Sequence, residues 1–190
     1  MSNLFKYLLP LFATIALIVN LIQPLHSLKI NISILTMIAI CLFWLVWFFK
    51  HKAKLLLIIL VFIFFPFFPL INQTKINEKI IQEYYLDYLR GYEGTKYVWG
   101  GEGFLGIDCS GLPRSSFIKA NFKYAYLHFN GRALKKAIWL WWFDASAKEM
   151  YYGYKGALMV DTNSFKIKDL RQEVEPGDIV TDGSHVMVYL

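Results

Sequence analysis

The chain predicts an α+β domain behind a membrane-spanning helical segment, and three observations carry that prediction. The first is a polarity asymmetry: residues 1–71 hold long apolar runs and no Asp or Glu. The second is a set of helix-period segments with capping residues at their starts, spread over residues 77–152. The third is a group of short β-like runs late in the chain, at Ala157–Val160, Ile179–Val180 and His185–Leu190.

The membrane segment comes first. The 190 residues are 56% hydrophobic, and a mean hydropathy of +0.39 is high for an ordinary soluble domain. Three runs account for it: Leu4–Leu25, Ile30–Phe49 and Leu55–Ile71. A bilayer core takes about 20 apolar residues per helix, range roughly 17–25. The third run is short and carries Pro66 and Pro69, which kink it or end it early. No small-x-small cleavage site follows the first run and further runs succeed it, so it reads as an anchor rather than a signal peptide.

Orientation follows from the loops. Lys50-His51-Lys52-Ala53-Lys54 is the densest basic cluster beside any span and is expected to face the cytoplasm. Alternation then puts Lys6 inside, the His26–Lys29 loop outside, and everything after Ile71 outside the cytoplasmic membrane. Two spans instead of three would leave that second half inside. All 14 acidic residues lie beyond residue 71, where they nearly balance the Lys and Arg of that half. The net charge of +6 therefore belongs mostly to the membrane segment and gives no basis for nucleic-acid binding. Two units result: a multi-pass membrane segment, 1–71, and an extracytoplasmic domain, 72–190.

Within the second unit, Asn72–Ile76 is a polar linker. Ile80, Ile81, Tyr84, Tyr85, Tyr88 and Leu89 give helical spacing over Asn77–Arg90, with Asn77 as cap and Gly91 as stop. Gly94–Gly106 is a glycine-rich loop that allows close backbone approach. No Gly-Lys-Ser/Thr follows, so it is not a phosphate loop. Leu112–Ala120 is helix-competent, with Asp108 as its cap. Asn130 can cap a helix over Ala133–Trp142, and Asp144 a second over Ala145–Tyr152. The aromatics Trp139, Trp141, Trp142, Phe143, Tyr151, Tyr152 and Tyr154 are expected in the core first and at a membrane interface second. Residues 72–190 suffice for one core, a helix packed on a small antiparallel sheet.

The chemistry concentrates in Tyr97–Gly111 and in His185. Cys109 stands where a helix begins, so unpaired N–H groups and the positive dipole end favour its thiolate, the nucleophilic form. His185 opens an apolar strand-like run and shares a face with Met187 and Tyr189. Cys41, inside the second apolar run, reads as a small apolar filler and cannot pair with Cys109. His26 and His51 fall in membrane loops, and His128 lies among aromatics. No metal-ligand spacing and no geometrically paired carboxylates are present.

Four pieces in this order, Tyr97-Val98-Trp99-Gly100-Gly101, Asp108-Cys109-Ser110-Gly111, Pro176-Gly177-Asp178 and His185-Val186, resemble the NlpC family of papain-like cell-wall cysteine peptidases. The resemblance covers about residues 76–190. It implies a papain-like fold with Cys109 as nucleophile and His185 as base, and no cofactor. It implies a substrate site lined by Tyr97, Trp99, Gly100, Gly101, Asp108 and Ser110, with the Cys109 N–H facing the oxyanion. The implied substrate is a peptidoglycan stem peptide, often at the link between D-glutamate and a diamino acid. The family's third polar residue, on the strand after the histidine strand, is not reached by Leu190, so the domain is expected to lack its last strands. Asp178, Asp182 and Ser184 are nearby alternatives for orienting the ring. Two rival expectations stand: a lipid-acting acyltransferase or thioesterase, prompted by the membrane tether though such members place histidine before cysteine, and an inactive cell-wall binding protein.

Overall fold

The computed structural model describes residues 3–22, 27–48, 72–156 and 174–190. The third apolar run, Leu55–Ile71, and the strand expected at Ala157–Val160 lie outside the described residues. The first two runs form α1 (Asn3–Ile22) and α2 (Leu28–Phe48), which pack on each other. Two of their polar side chains turn back on their own helix: Asn20 Nδ2 donates to Ala16 O at 2.8 Å and Thr36 Oγ1 to Ile32 O at 2.8 Å. Each satisfies itself on the preceding turn, as polar groups in apolar helices do. Thr14 Oγ1 lies 3.9 Å from Cys41 Sγ, and both cysteines are free thiols. Among the described residues no helix is long and apolar enough to cross a membrane.

The second half is built on three helices. In α3 (Glu78–Arg90) Asn77 caps the start, its side chain accepting from Lys79 N and Ile80 N, and Ile81, Tyr85 and Leu89 turn inward. The Cys109 segment leads into α4 (Gly111–His128), which runs well past the expected end at Ala120. It stops where Phe129 turns left-handed at φ 47. Asn130 then caps α5 (Gly131–Trp142), accepting from Ala133 N. The short α6 (Ala147–Tyr151) corrects the expected cap. Ser146, not Asp144, stands there, in a reciprocal capping box with Glu149. Asp144 instead accepts from Ala145 N at 2.7 Å.

The expected single sheet is, among the described residues, two separate antiparallel hairpins. One, β1 (Glu102–Gly103) with β2 (Gly106–Ile107), folds inside the glycine-rich segment that sequence pattern reads as loop. The other pairs β3 (Ile179–Thr181) with β4 (Val186–Val188), Thr181 opposite Val186. β4 is shorter than the expected His185–Leu190 run. Its side chains alternate as a half-buried strand must: Val186 is buried while His185, Met187 and Tyr189 are exposed.

α4 is the centre of the core. One cluster, Ile118, Leu140, Met150, Tyr154 and Val186 among its members, joins α4, α5 and α6 to β4. Others join α3 to α4, where Tyr85 and Phe117 meet edge to face at 5.6 Å. The aromatic stretch divides. Tyr154 is buried, Trp139, Trp141 and Phe143 pack partly buried against the first cluster, and Tyr151 and Tyr152 are exposed.

Candidate active site

Cys109 sits in a turn two residues before the first helical residue of α4, half-buried. Asp108 builds that turn. Its Oδ1 accepts from Ser110 N (3.0 Å), Ser110 Oγ (3.0 Å) and Gly111 N (2.6 Å), and its Oδ2 from Gly100 N (2.8 Å). One carboxylate thus caps α4 and ties the Trp99-Gly100-Gly101 turn to it. Asp108 and Ser110 direct their polar atoms into this scaffold, and Ser110 is buried. The fit leaves no space for side chains at the glycines. A Cβ on Gly101 would lie 2.6 Å from Gly106 O, and one on Gly111 would collide with Gly101 O. The Cys109 N–H donates to no acceptor among the described residues, so it is available to a ligand.

Tyr97 reaches the same turn from the strand-like bridge it makes with Ile107. Partial desolvation first, then the adjacent Cys109 and Asp108, push the Tyr97 phenol up. Tyr97 and Trp99 are both exposed beside the nucleophile, Trp99 at 80%.

His185 arrives on the second hairpin. Pro176-Gly177-Asp178 is the turn that starts it: Gly177 takes φ +102, a Cβ there would lie 3.2 Å from the Tyr85 ring, and Gln82 Nε2 donates to Pro176 O at 2.9 Å. That docks the hairpin on α3. At the far end Asp182 Oδ1 accepts from Ser184 N, Ser184 Oγ and His185 N, each at 2.8 Å, and Thr181 Oγ1 donates to His185 O at 2.7 Å. The backbone of His185 is therefore held on both sides. The donors to Asp182 keep its carboxyl at about 2, below the usual range. Asp178, the other acidic candidate beside the histidine, accepts from Glu175 N at 2.9 Å.

The structure brings Tyr97, Gly100, Gly101, Asp108, Cys109 and Ser110 into one turn. His185 stands on a different element, yet Cys109 and Val186, its neighbour, pack against the same cluster. Among the described residues no hydrogen bond joins the His185 ring to the Cys109 sulfur. Such contacts are often long without substrate and tighten when it binds.

Sequence pattern misses the support beneath this turn. Glu102 of β1 pairs with Arg114 of α4, whose side chain is fully buried. The same guanidinium donates to Leu140 O (2.6 Å), Trp141 O (3.1 Å) and Phe143 O (3.1 Å), carbonyls at the end of α5 that no helical turn satisfies. Ser115 Oγ donates to Glu102 O at 2.9 Å and shares a 2.7 Å hydrogen bond with Tyr92 OH. The one available signal was charge and hydroxyl at inward positions of a helix. Among the described residues no cluster of His, Cys, Asp and Glu could hold a metal ion.

No curated protein and no solved structure matches the chain. The family model for NlpC/P60 matches residues 94–190, just over half of it, from the glycine-rich hairpin through the Cys109 turn to the strand that follows His185. The residues that build the Cys109 turn and the hairpin that carries His185 all fall inside that match, and the chain belongs to the NlpC/P60 family, a family of cell-wall peptidases.

Proposed function

We propose that the protein is a membrane-anchored cysteine peptidase that hydrolyses an amide bond in peptidoglycan stem peptides, with its catalytic half on the outer side of the cytoplasmic membrane. The observation that carries this reading is the Cys109 turn: a half-buried free thiol beside Tyr97, with a backbone N–H that donates to no acceptor among the described residues.

In this mechanism Cys109 Sγ attacks the amide carbonyl as His185 takes the thiol proton. The developing oxyanion meets the Cys109 N–H, an arrangement that stabilises charge as it forms. The imidazolium then protonates the leaving amine, and water, deprotonated by His185, releases the acyl group from sulfur. Trp99 and Tyr97 flank the approach of the peptide.

Anchoring is supported by the long apolar runs free of acid and by the pairing of α1 with α2. The basic cluster at 50–54 supports the outward orientation.

The test is incubation of detergent-solubilised protein with purified peptidoglycan and mass analysis of the soluble fragments. New amine and carboxyl ends from wild type, and none from Cys109→Ala, are expected. Equal fragment yield from both proteins would overturn the assignment.

A further inference from the structure

The end of α5 meets the start of α2. Asn31, three residues into α2 and about 4.5 Å along its axis, is fully buried, and its Nδ2 donates to Trp141 O at 3.0 Å. That carbonyl also accepts from Arg114 at 3.1 Å. One backbone oxygen is thus held both from the membrane segment and from the helix that follows the nucleophile.

If the start of α2 is the external end of a span, this contact lies at the outer surface of the bilayer. The residues there suit that layer. Trp141 and Trp142 are both half-buried, with ring centroids 6.3 Å apart, and the amphipathic indole favours the headgroup level. Lys136 and Lys155 flank Trp139 in a shallow groove, their ammonium groups over the Phe117 and Phe143 rings at 4.7 and 4.0 Å.

We propose that the C-terminal end of α5 seats the catalytic half on the outer leaflet, with Trp141 and Trp142 in the headgroup layer, and that Asn31 pins this end of α5 to the membrane segment. The proposal rests on the membrane-anchor reading above. Its consequence is a fixed height for Cys109, since α4 is bonded to the same carbonyl through Arg114. The peptide within reach is then the wall material nearest the membrane.

The test uses the full chain reconstituted in vesicles of phosphatidylcholine and phosphatidylglycerol. Flotation after an alkaline carbonate wash reports the anchor alone. A variant with Trp44, Trp47, Trp99, Trp139 and Trp141 replaced by Phe leaves Trp142 as the reporter, read with lipids brominated near the headgroup or near the bilayer centre. Shallow bromines are expected to quench Trp142 at least about twofold more than deep ones, and Asn31→Leu is expected to weaken that quenching while flotation persists. Protein that floats with Trp142 unquenched at either depth overturns the seating. Quenching unchanged in Asn31→Leu overturns the pin. Protein that washes off brings down the anchor reading, and this proposal with it. Should the five-Phe variant not fold, Trp142→Cys carrying an environment-sensitive dye, on a Cys41→Ala, Cys109→Ala background, gives the same measurement.

Discussion

Partial desolvation first, then the neighbouring Cys109 and Asp108, hold the Tyr97 phenol above its ordinary value, so its hydroxyl stays protonated beside the sulfur and able to donate to it. A hydrogen bond to a charged acceptor is worth about 1.5–3 kcal/mol net. Tyr97→Phe should therefore lower kcat/KM by roughly 10- to 100-fold and slow alkylation of Cys109 by iodoacetamide at fixed pH. Wild-type rates on both counts would remove Tyr97 from the site. Gly111 tests the scaffold instead. Its missing Cβ would face Gly101 O, Asp108 Oδ1 and Glu102 Cγ. The first is backbone and the second is bound by three donors, so neither can yield. Gly111→Ala should destabilise the domain by about 2–3 kcal/mol, visible as a lower Tm. Asp182 gives a pH signature. Its folded pKa, about 2, lies below the ordinary 3.8, so the support it lends the His185 amide is complete above 3.8 and lost as pH falls through 2. Amide exchange at His185 should accelerate in that window, and Asp182→Asn should lose the dependence.

Among the elements, α3 and α5 are legible in the sequence because apolar spacing and an Asn cap point the same way at each start. The inward face of α4 is not. Its inward positions include Arg114, Ser115, Ser116 and Asn121, which pattern reading assigns to solvent. Arg114 and Ser115 are buried because β1 and the end of α5 supply their hydrogen bonds, information carried only by the tertiary fold, while Asn121 Nδ2 turns back on Phe117 O. The β1–β2 hairpin hides for a related reason: Gly103 and Gly106 bring no β-branched signal, and the pairing is set by how tightly the turn must approach α4. The site itself splits likewise. Cys109 and its turn residues stand in one contiguous motif, whereas Glu102 and Arg114 are recognisable only once paired. Removing one partner of a buried pair leaves an unpaired charge, so Arg114→Met should cost about 3–5 kcal/mol, and Glu102→Gln added to it should recover part. Burial outweighs the attraction of Arg114 and pushes the Glu102 carboxyl from 4.5 up to about 7. The folded state then binds more protons than the unfolded one between those values, so stability falls as pH rises from 4.5 through 7. Denaturant melts of wild type across that window should slope downward, and those of Glu102→Gln should be flatter.

Over the whole chain, charge is segregated: five lysines and no acid in residues 1–71, all 14 acidic residues beyond. Folding of the second half does not require this, since its core is built from α3 to β4. Passage of a chain across a membrane does reward it, because lysine clusters resist transfer and stay on the cytoplasmic side. The sidedness of Cys109 then depends on the number of spans. With three, the cluster at 50–54 lies inside and Cys109 outside, where cell-wall peptide is; with two, Cys109 shares the side of Lys6. The two free thiols distinguish these cases without any substitution, because one belongs to each half of the chain. Right-side-out vesicles treated with a membrane-impermeant maleimide should gain one label, at Cys109. Cys41, within α2 and against Thr14 of α1, should label only after detergent. Inverted vesicles should leave both thiols unmodified until solubilised. A single label gained in inverted vesicles and absent in right-side-out ones would put the nucleophile on the cytoplasmic side. The active-site geometry would stand, but the wall would be out of reach as substrate and α5 could no longer rest on the outer leaflet.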